Sequence, residues 1–292
     1  MAISASQVKE LREMTGAGML DCKKALDATS GDFDKAIDWL REKGISKAKK
    51  KESRVAAEGL TNIYEDGNVA VIIEVNSETD FVAKNQNFKD LLDTIGKALL
   101  NNKVETLDSA NELVVDGKKI SELIIDATAK IGEKITFRRF SRIEKNDDEH
   151  FGNYIHMGGR ISVLSVVKGA NAEVARDVSM QAAAMNPKYI KISDIEDSVL
   201  NHEKEVLTEE AMNEGKPKEI AEKMVIGRLN KFYKEVCLEE QPFIKDGDIN
   251  VKTFIKNNGG ELVSLVRYEV GEGIEKETVS FAEEVMAQVN NK

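Results

Sequence analysis

A strand-turn-strand pattern occurs twice in this chain, and it limits the fold more than any other feature. Val69, Val71, Ile73 and Val75 alternate with other residues, the period-two mark of a β-strand. Asp66-Gly67 ahead of them is a turn dipeptide, and residues 60–64 supply the partner strand. A helix follows with Phe88, Leu91, Leu92, Ile95 and Leu99 on one face, then one with Ile120, Ile124, Ala127 and Ile131, then a strand near 135–140. The order recurs: 154–157, Gly158-Gly159 and 160–168 read as a second hairpin, 173–185 as a helix stopped by Pro187, and 262–269 as a third strand. The two turns lie about 90 residues apart, which predicts an α+β fold with two related halves and antiparallel sheets.

Ahead of the first hairpin, residues 1–44 read as three short helices. Ser4 and Gln7 fit a capping box, with Val8, Leu11 and Met14 as one apolar stripe. Thr15-Gly16-Ala17-Gly18 breaks that helix; Cys22, Ala25 and Leu26 share a face of the next. Asp32 caps a third helix, which carries Phe33, Ile37 and Leu40 and is expected to close at Gly44. Lys47-Ala48-Lys49-Lys50-Lys51-Glu52 reads as a solvated linker.

The second half carries an insertion. Residues 198–214 form a charged helix with Leu200, Leu207 and Ala211 on one side, and Pro217 starts another with Val225, Leu229, Phe232 and Val236. Two antiparallel helices joined by a tight turn make a projecting hairpin. A last helix is expected at 277–289, with Phe281, Val285 and Val289 as its stripe.

The net charge is −10 and aromatics make up 5%, which disfavours nucleic acid as a partner. No apolar run approaches the roughly 18 residues of a membrane span, and no secretory or transit signal is visible, so a cytoplasmic chain is expected. Its two cysteines, Cys22 and Cys237, lie far apart and read as reduced thiols.

The chemistry-bearing motifs are absent. There is no phosphate-binding loop sequence, Gly16 and Gly18 lack the remainder of a dinucleotide fingerprint, and glutamates flank Gly271-Glu272-Gly273. His150 and His156 have no zinc-ligand spacing, so neither metal nor cofactor is expected. Two stretches stand out. Leu11 to Lys23 places Met19 and Leu20 at a helix start after a glycine turn, either as core or as an exposed knuckle that grips a partner. In Glu74-Val75-Asn76-Ser77-Glu78-Thr79-Asp80-Phe81-Val82 the pattern alone makes Asp80 a helix cap and Phe81 core.

Both stretches resemble signature sequences of elongation factor Ts, the bacterial guanine nucleotide exchange factor for elongation factor Tu. Further similar segments run in family order: Tyr154-Ile155-His156-Met157-Gly158-Gly159-Arg160-Ile161, residues 215–225 from Gly215-Lys216-Pro217, Gln241-Pro242-Phe243, and Val270-Gly271-Glu272-Gly273-Ile274-Glu275. The resemblance implies a three-helix domain like ubiquitin-associated domains at 1–45 and a linker at 46–58. It implies two similar core subdomains at 59–142 and 143–270, the second holding the hairpin at about 193–238, and a C-terminal helical module at 271–292. It implies that Thr79, Asp80, Phe81 and Val82 insert into GDP-bound elongation factor Tu and dislodge its Mg²⁺. It further implies that His156 presses near the phosphate-binding loop of that partner, and that Met19 and Leu20, with Leu11, meet its G domain. Some members carry a second Met where this chain has Leu20.

On that resemblance the chain is expected to promote GDP release without covalent chemistry, as a one-to-one complex, a homodimer or a two-to-two complex. Two other classes stay open from the residues: a non-enzymatic scaffold or adaptor using the bundle and the arm, and a hydrolase built on Cys22, Asp80 and His156.

Overall fold

Ser4 Oγ accepts from the Gln7 N–H, and Gln7 Oε1 accepts from the Ser4 N–H at 3.0 Å, so the first helix starts where the capping pattern predicts. The computed structural model describes residues 3–215 and 217–275 of the chain, with the expected helix at 277–289 outside the described residues. These fall into two units, one within Met1–Asn62, Ile73–Phe140 and Glu269–Lys292, the other Ile63–Ile72 and Ser141–Tyr268.

In the first unit, α1 (Ala5–Thr15), α2 (Met19–Ala28) and α3 (Phe33–Lys49) enclose Val8, Leu11, Cys22, Ala25, Leu26 and Ala36. Met14 departs from the expected stripe and is 59% exposed. Each three-residue step falls short of the 3.6-residue turn, and two such steps rotate Met14 off the buried face. Next in chain order come β1 (Glu58–Asp66), β2 (Val69–Ser77), α4 (Asp80–Ala83), α5 (Gln86–Asn101), α6 (Leu107–Asn111), β3 (Val114–Val115), β4 (Lys118–Lys119), α7 (Ile120–Ile131) and β5 (Thr136–Glu144); β1, β2 and β5 each have residues in both units. The sheet order is β1-β2-β5. Central β2 is buried on both faces from Ala70 to Ser77.

Gly44 does not close α3, which runs on to Lys49 through most of the lysine-rich stretch. The residue is buried where α3 packs on α7, and a Cβ there would lie 3.3 Å from the Ala129 Cβ. Its small size serves helix contact instead of termination.

The second unit contains β6 (Glu149–His156), β7 (Ile161–Lys168), α8 (Ala172–Met185), α9 (Asp197–Asn213), α10 (Lys218–Val236), β8 (Pro242–Phe243), β9 (Asp246–Asn250), α11 (Val251–Asn257) and β10 (Glu261–Glu269). Its main sheet has the order β10-β7-β6, and the β6–β7 hairpin is antiparallel from Glu149↔Lys168 to His156↔Ile161. In both three-stranded sheets the second hairpin strand is central and the later strand pairs with its free edge. Val163, Val167, Val174, Val178, Leu238 and Val251 form one core. Gly152 lets α8 press onto β6, since a Cβ there would stand 2.1 Å from the Ala175 carbonyl oxygen. Ser179 Oγ uses that proximity to donate to the Gly152 carbonyl at 2.7 Å.

α9 and α10 pack along each other around Leu207, Val225 and Leu229. Arg228 on α10 pairs with Glu210 at 3.3 Å and Glu214 at 2.5 Å. At the base of this arm the N–H groups of Lys188 and Tyr189 both donate to the Val236 carbonyl, and the Leu238 N–H donates to that of Tyr189. Among the described residues no helix is long and apolar enough to cross a membrane.

Candidate functional site

The segment that follows β2 is shaped by its cap. Thr79, extended at φ −126°, is the N-cap of α4, and its hydroxyl accepts from the Val82 N–H at 3.4 Å. Pattern had given that role to Asp80, which instead begins the helix. The one-residue change rotates the turn by about 100°. Phe81, expected in the core on pattern alone, is therefore 79% exposed, while Val82 and Ala83 are buried.

The loop that carries Thr79 is tied to the loop between α7 and β5. Glu133 Oε2 accepts from the Thr79 N–H at 2.9 Å, and its Oε1 accepts from the Thr79 hydroxyl at 2.7 Å. The exchange runs both ways, because Glu78 Oε1 accepts from the Lys134 N–H at 2.5 Å. Arg54 pairs with the same Glu78 carboxylate at 3.2 Å, and Lys134 Nζ donates to the Glu52 and Arg54 carbonyls. Asp80 and Phe81 thus stand on a fixed base. Lys84 Nζ donates to Asp80 Oδ2 at 2.6 Å and lies 5.8 Å from the Phe81 ring centroid. That hydrogen bond holds the Asp80 carboxyl below its usual range.

Beneath this base, β2 carries a buried charge. Glu74 is fully buried and accepts from Arg138 Nη1 at 3.0 Å, Arg139 Nε at 2.5 Å, Asn76 Nδ2 at 2.9 Å and the Gly271 N–H at 2.9 Å. Burial acts to raise its pKa, but the Gly271 and Asn76 hydrogen bonds and the Arg139 charge outweigh it and hold the carboxyl low. Glu272 pairs with Arg139 at 3.1 Å, so this glutamate neighbours a cation as well as two glycines.

His156 ends β6 in the second unit, half-buried, with Nδ1 3.2 Å from the Tyr154 hydroxyl and its ring stacked at 5.9 Å. The Arg176 guanidinium lies 5.8 Å from the Tyr154 ring centroid. The N–H groups of Gly159 and Arg160 both donate to the His156 carbonyl at 3.1 Å. Between them Met157 takes a left-handed φ of 48° and is 68% exposed at the hairpin tip.

In the N-terminal bundle, Met19 is 44% and Leu20 74% exposed at the start of α2. Leu11, placed with them from sequence, is fully buried and offers a partner no surface; its place is under the knuckle, in the bundle core. Cys22 is buried in the same core beside the Thr15 hydroxyl and the Ala17 carbonyl, which leaves a hydrolytic nucleophile no access to substrate. Cys237 is also buried, and burial pushes its thiol up to about 11.

Glu133, Glu78 and Lys84 escaped the sequence reading. Lys84 had a local signal, its i,i+4 spacing from Asp80. Glu133 stands 54 residues from Thr79 and carries none.

A family model described as Elongation factor TS matches residues 78–272, more than half of the chain, beginning at the loop that presents Phe81. The chain belongs to the elongation factor Ts family, whose function is nucleotide exchange on elongation factor Tu in translation elongation.

Proposed function

We propose that this chain binds elongation factor Tu in its GDP form, displaces Mg²⁺ and speeds GDP release, acting by differential binding and without covalent chemistry. GDP is held largely by phosphate cradling and by Mg²⁺ bridging. An exchange factor needs only to favour the empty shape over the loaded one. Each tenfold weakening of nucleotide affinity takes about 1.4 kcal/mol of that preference, and nucleotide weakens the factor's grip by the same factor.

The observation that carries this reading is Phe81, a nearly bare aromatic ring on a helical turn whose other side is anchored by Val82 and Ala83. A ring so placed acts as a wedge that fills the space into which a partner's elements would close. Asp80 brings a carboxylate toward the metal, Thr79 and Val82 hold the turn, and His156 shifts backbone that would otherwise donate to phosphate. Met19 and Leu20 supply an apolar grip on the G domain from a bundle like ubiquitin-associated domains. The matching strand orders of the two sheets support a core of two similar subdomains.

The test is stopped-flow release of fluorescent GDP from elongation factor Tu. Phe81→Ala should slow release at least tenfold while circular dichroism and melting temperature stay near those of the parent. An unchanged off-rate would defeat the reading, and an unfolded variant would make Phe81 structural. An adaptor would leave the off-rate untouched even with the parent chain.

A further inference from the structure

We infer that Glu133 is a positioning residue for exchange: its carboxylate sets the angle at which the α4 turn presents Phe81. The inference rests on the wedge reading of Phe81 above. Three observations carry it. Both oxygens of Glu133 are committed to one residue, Thr79, through its N–H and its hydroxyl. That hydroxyl is also the cap acceptor for the Val82 N–H, so a single side chain links Glu133 to the start of the turn. The grip is reciprocal, because Glu78 holds the Lys134 N–H in the opposite direction. Two adjacent pairs, each with a backbone donor on one loop and a carboxylate on the other, fix translation and rotation together. A single bond would leave a hinge.

The turn itself has four residues, too short to hold its own direction. Val82 and Ala83 anchor its inner side, and Ser77 Oγ donates to the Thr79 carbonyl at 2.9 Å, but these local contacts do not tie Thr79 to the neighbouring loop. Glu133 is placed to decide it. Without this carboxylate the Thr79 hydroxyl keeps its cap and loses its tether, and the wedge samples a range of angles. The chain should then still bind the GTPase but convert fewer encounters into release, since misplacement costs rate before it costs affinity.

The experiment compares Glu133→Gln, Glu133→Ala, Phe81→Ala and the Glu133→Ala/Phe81→Ala double variant of the full chain. The readout is fluorescent GDP release from elongation factor Tu across factor concentration. Glu133→Ala should lower the maximal release rate about tenfold, with the half-saturating concentration shifted less than about threefold. Glu133→Gln, which still accepts from the Thr79 N–H, should recover part of the loss. The double variant should be no slower than Phe81→Ala alone, because both changes disable one wedge. Equal maximal rates for Glu133→Ala and the parent, or additive losses in the double variant, would overturn the assignment. So would unfolding of both Glu133 variants, which would make the carboxylate structural. If Phe81→Ala itself releases GDP at the parental rate, the exchange reading has failed, and that outcome is separate from a failure confined to Glu133.

Discussion

Arg139 Nε meets Glu74 Oε2 at 2.5 Å, with Glu74 fully buried in the central strand of the first sheet. A buried carboxylate is tolerated only when it is paired and hydrogen-bonded. Removing one partner strands the other, at about 3–5 kcal/mol. Glu74→Ala should therefore destabilise the first unit by about that much in urea unfolding, whereas exposed pairs such as Lys9–Glu13 should be nearly silent. Because the folded-state pKa of Glu74 lies below its ordinary 4.5, its contribution is fully present above that pH and is lost as pH falls through the lower folded value. A Glu74→Gln chain should show a shallower loss of stability on the acid side; an unchanged acid limb would contradict the assignment.

Leu11 and Leu20 offer a paired test of what the bundle's apolar residues do. Leu11→Ala empties a fully buried position and should cost about 2–5 kcal/mol of bundle stability. Leu20→Ala removes a side chain at an exposed helix start and should change stability by less than about 0.5 kcal/mol. If Leu20 grips the GTPase, its removal should weaken the complex about tenfold, close to 1.4 kcal/mol. Calorimetric titration against elongation factor Tu, beside thermal melts of each variant, separates the two outcomes.

The arm can be shortened, and its base says where. Lys188, Tyr189 and Leu238 share backbone hydrogen bonds with Val236 and one another, and Leu200, Phe232 and Tyr233 pack on Ile195 and Cys237. Replacing 204–230 with a short glycine-rich loop spares all of these. That chain should fold with a melting temperature within about 5 °C of the parent. A cut removing 188–236 takes the base as well and should expose Cys237 to thiol reagents. Aggregation of the shorter cut would show that the distal arm belongs to the fold.

The two hairpins, the amphipathic face of α5 and the arm were legible because their signals are local, a periodicity or a turn dipeptide read over a few residues; of the face expected on α7, Ile120 alone is buried. The buried ion pair of Glu74 was not legible, since its partners Arg139 and Gly271 stand 65 and 197 residues away. Gly44 misled for a related reason: a glycine that stops a helix and one that admits a neighbouring helix look alike until the neighbour is in place. At Phe81 the outcome turned on which of two adjacent residues caps α4. Both Thr79 and Asp80 are good caps; Thr79, which takes the cap, is also bound by Glu133, 54 residues away and beyond the reach of any short window.

An aromatic ring left bare on a surface is an adhesive, and it does not discriminate between a GTPase and a second copy of its own chain. Lys84 changes that. Its ammonium lies over the Phe81 ring while it pairs with Asp80, so the two charges offset each other and one face of the ring is partly shielded. If Phe81 is the wedge, a partner must displace or accommodate this lysine, and selectivity then depends on the tip itself.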